Sequence, residues 1–224
     1  MDGREIPGWW KYQPVGMFAA MKPASARDRL LDAALVLIRA RGYQGTSVED
    51  LCAAAGVTKG AFFHHFRTKE DLGLAVAAHF SAWLDALFAR ARWREHDDPL
   101  DRVLAYLDFR TAILRGEIPH FTCLLGAMVQ DTYATHPAIR AACEAGIRAH
   151  AAPLQEDIAA AMAARGVAGF TAEGLVMHVM AVIQGAFVLA KASGGPEPAL
   201  EALRHLRRYV ELLFGAPAGQ GGRA

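Results

Sequence analysis

Between Thr46 and Lys69 the chain sets hydroxyls, ammonium groups and imidazoles at spacings suited to hydrogen bonding with phosphates and base edges. Thr46, Ser47 and Thr58 carry hydroxyls, Lys59 and Lys69 ammonium groups, and His64 and His65 ring nitrogens. From Thr58 to Lys69 the bases Lys59, Arg67 and Lys69 face no acid. Gly60 and Ala61 are small enough to let a backbone lie close to a groove floor, where Lys59 would donate to guanine and Ala61 would touch a thymine methyl. His64 and His65 suit phosphate or base contact, and equally a plain surface role. Phe62 and Phe66 read as core.

Such groups act only if rigid elements hold them. Thr46 or Ser47 caps a helix whose first turn brings Glu49 and Asp50 to the positive end of the dipole. Leu51, Ala54 and Ala55 form its buried stripe, Gly56 ends it in a left-handed turn, and Val57 plugs the junction. Thr58 then caps a short second helix over 59–66. Upstream, Leu30, Ala34, Leu37 and Ile38 recur at helical spacing, predicting a first helix over 25–41 stopped by Gly42.

The stretch AGVTKGAFFHHFRTKEDL strongly resembles the helix-turn-helix of the TetR family of bacterial transcription regulators. The resemblance runs from about Ser25, through Arg41-Gly42-Tyr43 and Gly45-Thr46-Ser47, to Lys69-Glu70-Asp71-Leu72. It implies that Tyr43 wedges the junction behind the reader and that Lys69 meets a DNA phosphate. Thr46, Ser47 and Thr58 are assigned to phosphates by position, through hydroxyls and helix N-terminal amides. One departure stands out: the family often has tyrosine where this chain has Phe63, so the hydroxyl contact to the DNA backbone is replaced at most by packing on sugar or base methyls.

Beyond the reader, a long helix from Lys69 to about Trp93 links head and body. Further helices are predicted over 100–115, 121–133, 138–165 and 171–192, and a last one carries Leu200, Leu203, Leu206, Val210, Leu213 and Phe214. The expected fold is all-α, a three-helix helix-turn-helix head on a larger helical effector-binding and dimerisation domain, with about nine helices in all. Residues 1–24 are expected to be a flexible extension, 25–71 the DNA-binding domain, 72–214 the effector and dimerisation domain, and 215–224 a flexible tail. The last two helices have surplus apolar face, which suggests a homodimer; the resemblance implies a four-helix bundle across a two-fold axis.

The resemblance also implies an effector cavity in the body and a repressor released from double-stranded operator DNA by a small molecule. Trp83, Phe109, Phe121, Cys123, Met128, Tyr133, His178 and Gln184 are the candidate lining, and ordinary core packing would account for most of them. His178 and Gln184 need polar partners if the helix over 171–192 is buried. With no clear charged cluster, a largely apolar effector is expected. Cys123, after Pro119 and His120, offers a second reading as an electrophile or oxidant sensor.

Composition limits the field. In 224 residues with 53% hydrophobic content and a net charge of +1, any nucleic-acid binding must come from a local patch rather than a global basic field. Cys52, Cys123 and Cys143 are odd in number and lack metal-ligand spacing, which reads as a reducing cytosol, with no metal and no cofactor. No secretory signal is evident, and the apolar stretch over 175–190 reads as too short for a membrane span. No HExxH, paired Glu-x-x-His, phosphate-binding glycine loop or GxSxG supports an enzyme. A helical adaptor that binds only protein is the remaining rival.

Overall fold

The computed structural model describes residues 25–215; the extension expected over 1–24 and the tail from 216 lie outside the described residues. The head consists of α1 (Ala26–Arg41), α2 (Val48–Ala55) and α3 (Lys59–His65). Each start is fixed by a local side chain. Ser25 and Ser47 form capping boxes with Asp28 and Asp50, and the Thr58 hydroxyl accepts from the Ala61 amide at 3.1 Å. Gly56 turns the chain in the left-handed region (φ 61°), and Leu51 and Phe62 are fully buried where α1, α2 and α3 meet.

The body follows as α4 (Lys69–Arg90), α5 (Pro99–Ala112), α6 (Ile118–Phe121), α7 (Leu124–Thr132), α8 (Pro137–Arg165), α9 (Ala172–Ser193) and α10 (Glu197–Leu213), with a 3-10 turn at Trp93–Glu95. Among the described residues all regular structure is helical. Among the described residues ten α-helices replace the expected nine: the short α6 forms just before the helix expected over 121–133, and that helix starts only at Leu124 because Thr122 and Cys123 are extended, so that Cys123 caps α7. Two expected ends also move inward. α4 stops at Arg90, where Arg92 turns into positive φ (55°), and α5 stops at Ala112.

α8 is the central post, packed by α4, α5, α7 and α9, while α9 and α10 pair along their length. The hydrophobic core runs without a break from the head into this bundle. Gly73 on α4 marks the join: a Cβ there would lie 2.9 Å from the Tyr43 ring and 3.1 Å from Ile139, so α4 can touch both head and α8 only with a glycine. Tyr43 is buried, consistent with the wedge expected of it.

The expectation that the apolar stretch of α9 is too short for a membrane span is corrected. By length and composition α4 and α9, each 22 residues, are apolar enough to cross one, and 50% and 44% of their most apolar windows are buried inside the protein. α9 is not buried all round. It exposes Val188 and Leu189 toward its C-terminal end, and α10 exposes Tyr209 and Leu212, with the Tyr209 ring 5.3 Å from that of His178 on α9.

Candidate DNA interface and effector cavity

α3 is divided cleanly between two neighbouring phenylalanines. Phe62 is fully buried, and Phe66 closes the same core; Phe63 is 54% exposed, with Lys59, Gly60 and His64 also outward and Ala61 and His65 half-buried. A Cβ on Gly60 would meet nothing nearer than the Thr58 hydroxyl at 3.7 Å, so the fold itself does not demand glycine there. Lys59 is ion-paired with Glu49 of α2, and that carboxylate holds the ammonium above its ordinary pKa. Glu49 is correspondingly lowered, chiefly by the same hydrogen bond. A phosphate or base approaching Lys59 therefore competes with an acid already in place.

The other expected phosphate contacts divide. Thr46 is corrected: it is fully buried, and its hydroxyl donates to the Gly42 carbonyl at 2.8 Å, satisfying the turn. Ser47 is exposed, but its hydroxyl is engaged with Asp50 in the α2 cap. Thr58 is exposed at the start of α3. The Lys69 ammonium sits 4.4 Å over the Tyr43 ring, and partial burial lowers its pKa while Asp131 opposes that shift. In α2, Ala54 is exposed and Cys52 takes the expected place in the buried stripe, because a helix this short presents 51, 52 and 55 to α1.

Of the predicted effector residues, Trp83, Phe121 and Cys123 line one small chamber of about 20 Å³, and Cys123 and Gln184 line an adjoining one of about 210 Å³. Thr122, Cys123 and Phe187 are common to both. The remaining four are elsewhere. Met128 is sealed in the core, Phe109 packs edge-on against Phe88 at 4.9 Å, and Tyr133 is 63% exposed. His178 is also exposed, 5.3 Å from the Tyr209 ring, because it lies on the outward face of α9.

Sequence reasoning missed the charged groups of this region. Arg39 and Arg110, with His120, line the inner chamber, and Lys191 and Asp131 the outer one, charged groups that showed as no cluster in the sequence. It also missed two ties between head and body. Arg39 of α1 donates to the carbonyls of His120 and Thr122, at 3.3 and 3.4 Å, and Gln44 donates to Asp131 through its backbone amide at 3.0 Å and its side chain at 2.6 Å. These partners come from distant parts of the chain and leave no local pattern.

A larger cavity of about 310 Å³, between α4, α5 and α8, was also missed; it is lined by Phe88, Trp93, Tyr106 and His150, with Asp85 and Arg92 at its edge. Burial, and then the nearby Arg110 guanidinium, depress the His150 pKa to about 3. The neutral ring's Nε2 lies 3.1 Å from the Tyr106 hydroxyl and 3.0 Å from Arg110. Among the described residues there is no cluster of three metal-ligating side chains.

Comparison with known proteins places both halves. Residues 30–76 match the model of bacterial regulatory proteins of the tetR family, and 99–205 match the C-terminal domain of LmrA/YxaF-like transcriptional regulators. The chain is 40% identical over 63 residues to the HTH-type transcriptional repressor KstR2 of Mycolicibacterium smegmatis, covering 28% of this chain and 31% of that protein. It is 26% identical to the HTH-type transcriptional repressor NemR of Escherichia coli over 205 residues, 82% of this chain and 93% of NemR. A TetR-family regulator from Agrobacterium tumefaciens shares the fold, with a TM-score of 0.73 at 23% identity over 84% of this chain and 98% of that one. Matches to the first curated relatives span between 31% and 53% of their length. With a matching head, a matching body and a shared fold, the chain belongs to the TetR family.

Proposed function

We propose that this protein is a DNA-binding transcriptional repressor, acting as a homodimer and released from its operator by a small molecule. The observation that carries the reading is the two-sided α3: Phe62 anchors it in the head while Lys59, Gly60, Phe63 and His64 face outward together. In this account residues 25–71 read DNA and 72–214 bind the effector and the second subunit. Lys59, Gly60 and Ala61 meet base edges, Phe63 packs on sugar or base methyls, and His64 and His65 contact the backbone. Thr58, the amides at the start of α2 near Ser47, and Lys69 hold phosphates once Lys69 leaves the Tyr43 ring.

One short helix makes too few contacts for specific binding, so two heads are needed. The exposed apolar side chains of both helices, Val188 and Leu189 on α9 and Tyr209 and Leu212 on α10, support pairing through α9 and α10; Gly185 of α9 opens onto free space, letting helices approach closely. Release follows from where the chambers lie. Their walls include Arg39 and Asp131, which belong to the two ties between the head and α6 and α7, so a ligand that prefers one arrangement of these ties shifts the spacing of the heads.

Fluorescence anisotropy of a labelled duplex from the gene's upstream region, with excess nonspecific DNA, tests the reading. Binding tighter than about 10⁻⁷ M that Lys59→Ala plus Lys69→Ala removes supports it; binding indifferent to both sequence and mutation refutes it. A second reading, release by thiol modification, is favoured by the placement of half-buried Cys123 in the walls of both chambers, whereas Cys52 and Cys143 are buried. An electrophile such as N-ethylmaleimide would then abolish operator binding in the wild type and leave Cys123→Ser unaffected; equal loss in both excludes it.

A further inference from the structure

Arg39 holds a position that core packing does not explain. It is 1% exposed, no carboxylate among the described residues pairs with it, and it lines the inner chamber. Its Nε donates to the Leu35 carbonyl at 2.9 Å and Nη1 to the carbonyls of His120 and Thr122, but Nη2 has no partner among the described residues. The Thr122 hydroxyl, on the wall shared by both chambers, is likewise buried and unpartnered. A buried guanidinium without a counter-ion is costly, and a buried donor without an acceptor adds to that cost. Desolvation pulls the Arg39 pKa down to about 10, the direction expected of a cation whose burial lacks an anion.

The surroundings are also biased in sign. The inner chamber has the guanidiniums of Arg39 and Arg110 in its wall and no acid. The outer chamber adds Lys191 and a single acid, Asp131, whose carboxylate already accepts from the Gln44 amide. Around them stand Phe80, Trp83, Phe121 and Phe187.

We propose that these joined chambers bind a small organic acid, with the carboxylate held by Arg39 Nη2 and the Thr122 hydroxyl and the remainder of the molecule in the outer chamber. The two unpartnered donors match the two oxygens of a carboxylate. The inner chamber of about 20 Å³ has room for one carboxylate oxygen, the other lying at the wall shared through Thr122, and the outer chamber of about 210 Å³ has room for a short chain or a single ring. Arg39 belongs to α1 of the head, so an acid pairing with it acts on the DNA-reading unit without an intermediary. This deepens the ligand-released repressor reading by naming the effector's chemistry.

The test is thermal stability and titration calorimetry of the full chain with sodium propionate, butyrate and benzoate, against sodium chloride at equal ionic strength and against the three corresponding amides. Saturable stabilisation by at least one acid, with none from its amide or chloride, is the expected result. Arg39→Lys keeps the charge but loses the planar fork, and should weaken that acid about ten- to a hundredfold. Thr122→Val should weaken it too, and provides the check if Arg39→Lys proves misfolded by circular dichroism. Equal effects of acid and amide, stabilisation by chloride alone, no response to any acid, or an undiminished response in both variants overturns the proposal. Because no DNA is present, its failure is separate from failure of the repressor reading: a protein that binds operator but no acid loses only the proposal.

Discussion

Replacing Phe62 and Phe63 one at a time by alanine tests the orientation of the reading helix with two adjacent residues. Phe62 is fully buried, with its ring 5.8 Å from that of Phe66. Phe62→Ala removes a whole ring from a small core that can collapse only partly, at a cost of about 3–5 kcal/mol. For a fold of this size that corresponds to a fall of about 6–20 °C in melting temperature, if head and body unfold together. Phe63, at 54% exposed, has little burial to lose, so Phe63→Ala should stay within about 0.5 kcal/mol of wild type while weakening operator binding. Urea denaturation gives the stabilities, hydrogen exchange over α2 and α3 shows whether the head opens alone, and duplex anisotropy gives the affinity. Comparable destabilisation by both substitutions, or a Phe63→Ala variant with unchanged DNA affinity, would mean that α3 presents a different face and would refute the assignment.

Three further outcomes are expected. Lys69→Ala, which removes a phosphate contact, should reduce the slope of log affinity against log salt by about 0.9 per subunit, and Glu49→Gln, which frees Lys59 from its acid, should tighten binding; Arg148→Ala, on α8 of the body, should leave the slope alone. Leu212→Glu on the exposed strip of α10 should yield monomers in sedimentation and abolish specific binding, whereas a dimer that persists would place the interface elsewhere. Because His150 stays neutral in the fold down to about pH 3 while the unfolded chain protonates near 6.5, stability should be full above that range and fall as pH drops through it, by at most about 1.4 kcal/mol per pH unit from this group. Urea midpoints at pH 7, 6 and 5 measure this, and His150→Gln should flatten the dependence.

The head was legible because what builds it is local. Ser47 with Asp50, Gly56 in the left-handed turn, Thr58 at the next cap and the buried Phe62 and Phe66 lie within a few residues of the groups they serve. Thr46 was misjudged at the same short range, since nothing in the sequence distinguishes a hydroxyl satisfied by the Gly42 carbonyl from one facing outward. The body was legible as helices but not as a site. Apolar spacing located α8, α9 and α10, yet the split between α6 and α7 depends on Thr122 and Cys123 being held extended where Arg39 reaches their segment. His178 and Gln184 lie on one helix, six residues apart, but one faces out beside Tyr209 and the other in toward Gly126. Arg39 carries no local sign of burial, since the arrival of α6 and α7 on α1 encloses it.

The most direct test of the central claim is selection of bound duplexes from a randomised library by the full-length protein, in which the operator sequence is an outcome rather than an input. The account predicts enrichment of an inverted repeat whose half-sites are each read by one α3, and loss of that enrichment in the Lys59→Ala, Lys69→Ala double variant. Recovery of unselected sequence, or of a motif that the double variant enriches equally well, would contradict it.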